Sequence, residues 1–486
     1  MTIEVKNKTQ ALLTNAHPLY TAMQEVWELG RDSFGGEPAI KDKRDKYLPP
    51  TSGMRNDGFG KVANSEGDLA YEAYLIRSYY PDTYAEAVES AVGVMHRKPA
   101  QIELPKRMES LFDVATNDGE DLQLLLRRIN AMQLTEGRLG LLGTLEEVDG
   151  KVMPKLIVHN ALSVFNWDDT LNQDAGQNLR FIEINESDYK MSPSYSWEWK
   201  NKVRVLAIIN AEGQIVGFDE EGELESGVYG YAILDDTQAE LQSATFEEIT
   251  YKGTELDRIP FTFINSKDLS CVPDKPPLDG LARLALAIYR GEADYRQNLF
   301  MQGQDTLVRI GFVEGTDENG DKIRTGAGAA IDVPVNGDAK YIGVDGSGLS
   351  EQRESLKSDY EKADKKTAKL MANGSNESGE ALKVRVAAQT ATLPQIAETG
   401  AAGLEKVLRD LAVWLGEDPD KVVVKPNLEF AGTNGDGQTL TQIVQAKTLG
   451  APISEQSIHA WMAEQGFTNL SYEEEMAYIS GEEPKV

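Results

Sequence analysis

The chain has 486 residues, with 79 acidic against 49 basic side chains and a formal charge of −30. That length supports roughly two to four domains, and that charge opposes tight nucleic-acid binding, which draws its affinity from cations that displace counterions from phosphates. Cys271 is the single cysteine, which excludes an intrachain disulfide, and His17, His96, His159 and His459 are too scattered for a zinc cluster.

In chain order, the first 145 residues read mainly helical. Met1 to Tyr20 lacks a signal-peptide core, and no run of about 18 apolar residues occurs anywhere, so a soluble protein made in the cytoplasm is expected. The stretch between Gly35 and Gly67, rich in Gly, Pro, Asp and Lys, reads as irregular. Helical spacing follows in Gly67–Pro81, with Leu69, Ala73 and Ile76 on one stripe. It continues in Thr83–His96, with Tyr84, Ala87, Val88, Ala91, Val92 and Met95; Asp82 is the expected N-cap and Pro99 the stop. Asp121–Leu142 adds Leu122, Leu125, Leu126, Ile129 and Met132 at core spacing.

From Leu145 to Asn265 the period becomes two. Strands are expected over Lys155–Phe165, Leu179–Asn185, Val203–Ile209, Val228–Leu234, Phe246–Tyr251 and Ile259–Ile264, with turns at Asp149-Gly150, Glu212-Gly213 and Lys252-Gly253. This spacing favours an antiparallel sheet, and helices followed by sheet imply an α+β domain.

Pro273–Pro277 marks a boundary, and Asp279 is placed to cap the next helix. That helix carries Leu281, Leu284, Ala285, Ile288, Tyr295 and Leu299 on a stripe that Glu292 interrupts, while Gly291 implies a kink or a close contact. Leu307–Tyr341 returns to β character with many glycines. A second long helix spans about Leu349–Met371, then a loop without apolar anchors, then a third helix from Glu380 to Trp414, expected to be the longest and to bend at Pro394. Thr439–Ile479 reads as two or three short helices broken at Gly450-Ala451-Pro452 and Gly466.

The order of these parts resembles the shared core of tailed-bacteriophage portal proteins, the head-to-tail connectors. Glu377-Ser378-Gly379-Glu380-Ala381-Leu382-Lys383 resembles their loop-to-helix junction. Val333-Pro334-Val335 to Tyr341-Ile342-Gly343-Val344 is similar to the exit from their clip. Leu440-Thr441-Gln442-Ile443 with Ala451-Pro452-Ile453-Ser454 resembles their crown helices. The resemblance implies a wing over 1–278, a first stem helix over 279–303, a clip over 304–348 and a second stem helix over 349–371. A tunnel loop over 372–380, a long wing helix over 381–416 and a crown over 417–486 would complete the chain.

It further implies a non-enzymatic subunit of a closed ring, usually a dodecamer, at one capsid vertex of the virion. DNA would pass through for packaging, retention and ejection, and the large terminase, head–tail adaptor or tail proteins, and capsid and scaffold proteins would dock on it. The implied DNA-facing loop is Asn373, Gly374, Ser375, Asn376, Glu377, Ser378 and Gly379. Gly320, Gly326 and Gly328 fall in the implied clip, where terminase and adaptors dock. Lys362, Lys365, Lys366 and Lys369 would form cationic belts around a ring, or simply a solvated face with Glu361 paired to Lys365. Lys383 and Arg385 would touch phosphate weakly, or stand as solvated helix-start residues.

Enzyme readings find little support. Gly60-Lys61 is followed by Val62, and Arg55 stands where a P-loop needs its first glycine; His-Glu-x-x-His and Gly-x-Ser-x-Gly are absent. Asp168-Asp169 and Asp235-Asp236 offer paired carboxylates for a metal-dependent nuclease, but such pairs arise by chance in an acidic chain and both sit where turns are expected. Tyr79-Tyr80, Trp197 and Trp199 offer base-stacking rings without a basic surround, which favours core or interface packing. From Gly416 onward four basic residues face twelve acidic ones, against a helix-turn-helix reading. No cofactor and no metal are expected. A head–tail adaptor or minor capsid protein is the structural alternative.

Overall fold

Helices precede sheet in the chain, and the sheet is then crossed by a long helix that returns from far along the sequence. The computed structural model describes residues 15–148, 151–168, 179–218, 225–235, 244–252, 254–302, 306–310, 336–342, 347–371, 392–428, 430, 437–464, 467–468 and 470–480. It divides into two compact units, one of 1–372 with 388–428, the other of 373–387 with 429–486.

The larger unit opens with α1 (Pro18–Phe34), α2 (Gly36–Asp42), α3 (Ser52–Asn56), α4 (Glu66–Arg77), α5 (Thr83–Met95) and, after β1 (Gln101–Glu103), α6 (Leu122–Thr135). The stretch from Gly35 to Gly67, expected to be irregular, thus holds two short helices and a 3-10 turn at Arg44–Lys46. Local caps account for part of this: Thr51 accepts from the Met54 N–H, and Ser65 with Asp68 forms a reciprocal capping box at α4. Asp82 stands at the N-cap of α5, but its carboxylate makes no capping bond.

On α4 the expected core stripe is the wrong one. Tyr71, Tyr74 and Leu75 are buried, whereas Leu69 and Ile76 are 55% and 75% exposed. Tyrosine hydroxyls explain the inversion, because each finds a partner inside: Tyr71 donates to the Leu48 carbonyl at 2.9 Å and Tyr74 to Asp294 at 2.6 Å.

The helical signal expected through Leu142 stops at Thr135. Gly137, with φ at +73°, turns the chain into β2 (Arg138–Val148), and its missing side chain leaves room for the Asp274 and Pro276 backbone. β2 pairs with β3 (Lys151–Asn160) and with β11 (Phe261–Asn265) in a three-stranded antiparallel sheet. A second antiparallel sheet has five strands in the order β10 (Glu247–Glu248), β9 (Val228–Leu234), β8 (Val203–Ile209), β5 (Phe181–Asn185) and β4 (Val164–Trp167). Two sheets therefore stand where one was expected, and a separate hairpin joins β6 (Asp188–Met191) to β7 (Trp197–Lys200). The fold is α+β.

The core gathers around Arg138, whose guanidinium lies 3.6 Å from the Phe263 ring centre and 4.6 Å from that of Trp167, while His17 stacks on Trp167 at 4.0 Å. After α7 (Asp279–Gln302), β12 (Thr306–Ile310), β13 (Asp338–Ile342) and α8 (Ser347–Met371), helix α9 (Thr392–Trp414) returns to cover the three-stranded sheet. Two glycines bring helix and sheet together. A side chain at Gly403 would meet Ile264 at 2.4 Å, and one at Gly143 would meet Leu411 at 2.9 Å. Trp414 closes the end of α9 edge-on against Tyr229 of β9, at 5.8 Å. Leu404, Val407, Leu408 and Leu411 are fully buried on the same helix, each worth about 1.5–3 kcal/mol by area alone. Pro394 stands in the first turn of α9 as described, where a missing N–H costs nothing; the expected bend involves residues before Thr392 that lie outside the described residues. With 23 residues α9 is shorter than the 25 of α8; the expected start, 380–391, lies outside the described residues. β14 (Val423–Lys425) then pairs with β1, tying the late chain to the early one.

The smaller unit contains α10 (Gly437–Thr448), α11 (Glu455–Glu464) and α12 (Tyr472–Ser480), with the expected break at Gly450-Ala451-Pro452.

Candidate functional site

Two long helices joined by a strand pair dominate the segment after the proline boundary. α7 begins at Asp279, whose carboxylate is held by Arg283 and Lys275, each at 3.0 Å, rather than spent on a backbone cap. Burial pulls this carboxyl upward, but the two cations win and hold it below its ordinary value.

The inner face of α7, with Leu281, Ala282, Ala285, Ile288, Tyr289 and Ala293, packs into the helical layer. Polar contacts fix its register. Arg290 donates to the Tyr47 carbonyl at 2.8 Å, Tyr74 bonds Asp294, and Arg77 both donates to Gln297 and lies 4.1 Å from the Phe300 ring centre. Burial, then the bond to Asp294, raises the Tyr74 hydroxyl far above its usual range, so it stays a donor.

α8 runs antiparallel to α7, and the pairing is set residue by residue. Asn298 donates to Gln352 at 3.1 Å, Tyr360 to Glu292 at 3.0 Å, and Lys366 to the Gly280 carbonyl at 2.8 Å. Glu292, the residue that breaks the apolar stripe, is thus the central link, accepting also from Arg296 at 2.8 Å. Gly291 marks a close contact: a side chain there would meet Leu356 at 2.9 Å. Among its described side chains only Leu356 and Ala363 of α8 are buried apolar residues, and the outward face is charged. Between the helices, β12 and β13 pair antiparallel from Thr306 opposite Ile342 to Ile310 opposite Asp338.

The expected lysine row divides. Lys362 pairs with Asp359 at 2.8 Å, Lys366 is committed to α7, and Lys365 is exposed. Glu361 and Lys365 do not pair with each other, contrary to the expected spacing rule. Lys369 lies on α8, but its side chain is outside the described residues. Also outside them are Asn373, Gly374, Ser375, Asn376, Glu377, Ser378 and Gly379, with Lys383, Arg385, Gly320, Gly326 and Gly328. Sequence reasoning missed Tyr360 as the partner of Glu292; the isolated carboxylate within an apolar stripe was the available signal.

Asp168 is taken by Arg180 at 2.6 Å, while Asp169 and Asp236 lie outside the described residues. Among the described residues no group of three or more His, Cys, Asp or Glu is arranged to hold a metal, and no helix is long and apolar enough to cross a membrane. Tyr80 is buried edge-on against Tyr289, so its ring is not free for base stacking; Tyr79, with Arg296 over one face, is partly exposed.

Residues 277–415, which span α7 through α9, match a domain of unknown function, DUF4055. This is under a third of the chain. No curated protein matches it. Among solved structures, a chain from the virion of a native gene transfer agent particle is 13% identical, with a TM-score of 0.36, over 90% of this chain and 100% of that one. A chain from the neck of the native particle, computed with C12 symmetry, is 13% identical with a TM-score of 0.38, over 78% of this chain and 89% of that one. A chain from the neck of the empty particle, computed with C6 symmetry, gives 13% and 0.35, over 89% and 94%. These TM-scores are too low to establish a common fold.

Proposed function

We propose that the chain is a portal-type subunit, assembling as a closed ring that conducts double-stranded DNA into and out of a tailed-phage capsid. The observation that carries this reading is the α7–α8 hairpin. Two helices of 24 and 25 residues run antiparallel. One is bolted to the helical layer by Tyr74, Arg77 and Arg290, and the other turns a charged face outward. At 1.5 Å per residue each is about 36 Å long, a suitable wall height for a channel.

Repeated around a ring, α7 and α8 would form the stem, and β12–β13 the base of the clip on which terminase and then adaptor or tail proteins dock. The loop 373–379 would meet DNA, with glycines and short polar side chains suited to yielding as phosphates pass. The charge of −30 would keep the wall from gripping its cargo. Lys365, repeated in every subunit, would add a thin cationic belt. The subunit would reside at the portal vertex of the virion and contact capsid and scaffold proteins. In this role the chain uses no cofactor and performs no catalysis.

Deleting Asn373–Gly379 tests the reading. Rings should assemble normally, while packaging or retention of DNA in particles is impaired. Full genomes packaged and retained at the normal level would contradict the loop's role.

A further inference from the structure

Helix α9 crosses from one apolar environment to another. Leu404, Val407, Leu408, Leu411 and Trp414 belong to the continuous core that the sheets share, whereas Leu393, Ile396 and Ala397 are buried outside it. At the crossing Gly400 faces two amides: a side chain there would meet Asn130 at 2.5 Å and Gln133 at 2.8 Å. Asn130 of α6, itself buried, donates to Gln133 at 2.8 Å and to the Ile396 carbonyl at 3.4 Å, and its oxygen accepts from His96 at 2.8 Å. Gln133, also buried, donates to the Asn265 carbonyl at the end of β11 at 2.7 Å. Such a buried amide cluster holds its neighbours only while every member is bonded.

The same turn is where the helix is weakest. In a regular ladder the Gln395 and Ile396 carbonyls accept from the N–H groups four residues on. Here the Thr399 hydroxyl donates to Gln395 at 2.7 Å and Asn130 to Ile396. Two successive ladder carbonyls are thus shared with side chains, an arrangement that bends helices. Gly400 and Gly403, both poor helix formers, follow within one turn. We propose that 399–403 form a hinge, and that the start of α9, 392–398, is a strap which Asn130 and Gln133 latch and release while the rest of the helix stays fixed.

The latch also reaches the segment that leads into α7. Asn265, whose carbonyl Gln133 holds, donates its side-chain amide to the carbonyls of Ser270 and Val272 at 2.8 and 3.0 Å. Gln395 of the strap donates to the Lys267 carbonyl at 3.4 Å. Release of the strap therefore loosens 265–272 as well. No partner is needed, because the motion belongs to a single folded chain, in a ring or out of one. A rigid α9 would open with one free energy along its length, whereas a hinged one opens with two.

Hydrogen exchange of the full chain, read by mass spectrometry on peptides covering 396–401 and 404–414, tests the hinge. In the wild type the first peptide should exchange about tenfold or more faster than the second. Asn130→Ala should speed the first a further tenfold or so, roughly the scale of one lost buried hydrogen bond, and 265–272 with it, while 404–414 stays unchanged. Thr399→Val returns the Gln395 carbonyl to the ladder and should slow the first peptide roughly twofold or more; it carries the test should Asn130→Ala fail to fold by circular dichroism. Equal rates along α9 in the wild type, or equal acceleration of both peptides in Asn130→Ala, would overturn the hinge. So would a first peptide that is unchanged or faster in Thr399→Val. Acceleration of 396–401 with 265–272 unchanged would overturn the coupling to the segment before α7.

Discussion

Glu136 ends α6 one residue before the left-handed turn at Gly137, and it is 4% exposed. Burial pushes its carboxyl up to about 7, against the opposing pull of the Ala161 N–H, which donates to it at 2.7 Å, and of Arg31. The folded chain therefore holds this proton to a higher pH than the unfolded chain. Below about 4.5 both states are protonated and nothing is lost. Between about 4.5 and 7 the unfolded chain releases the proton first, so stability falls as pH rises, and above 7 the loss is complete. At 1.36 kcal/mol per unit, this loss is about 3 kcal/mol. Glu136→Gln keeps an acceptor for Ala161 and removes the ionisation. Urea unfolding followed by tryptophan fluorescence should show the variant about 3 kcal/mol more stable at pH 8.5 and nearly equal to wild type at pH 4.5. A stability difference independent of pH would refute the assignment. His159, whose buried ring is held down to about 4, destabilises the fold in the opposite direction as pH falls below about 6.5, but it cancels in this comparison.

Three further outcomes are expected. Gly403→Val should cost about 1–3 kcal/mol or more, seen as a lowered melting temperature, because Ile264 lies 2.4 Å from the new side chain; an unchanged melt would contradict the packing of α9 on the sheet. Gly291→Ile should wedge α7 from α8 against Leu356, whereas Gly291→Ala should be milder because only the end of a leucine must move; ring yield measures both, and equal yields would contradict a tight stem contact. Asp168→Ala should destabilise by about 1–3 kcal/mol by removing the partly exposed Arg180 guanidinium's carboxylate partner, while Arg180 keeps its bond to the Val216 carbonyl, with no change in Mg²⁺-dependent DNA cleavage. Cleavage that is present in wild type and lost in the variant would favour the nuclease reading.

Two β-rich apolar runs bounded by turn residues were legible in the sequence to the residue: Val203–Ile209 and Val228–Leu234 have the bounds their composition implies. The end of α6 was not, because Leu139, Leu141 and Leu142 satisfy both periods and only the turn at Gly137 decides between them. On α4 the expected apolar stripe pointed outward because Tyr71 and Tyr74, with Leu75, face the core instead. The short helices before α4 depend on caps and on Gly67, whose absent side chain admits the Met54 carbonyl, a tertiary constraint no local pattern carries. At the candidate site, Glu292 and Gly291 were visible as anomalies. The charged row on α8 was read as one surface, yet tertiary contact withdrew Lys366 to α7 and a neighbouring turn supplied Asp359 to Lys362. The hairpin rings at Trp197 and Trp199 were read as core or interface packing without a choice between the two, and the uncovered face on α4 emerges only from burial.

Particle mass and shape test the central claim most directly. Purified wild-type chain, measured by light scattering and negative-stain microscopy, should form closed rings with a central hole at about a dozen times the 53.5 kDa subunit mass. A stable compact monomer or dimer across assembly conditions would contradict the portal reading.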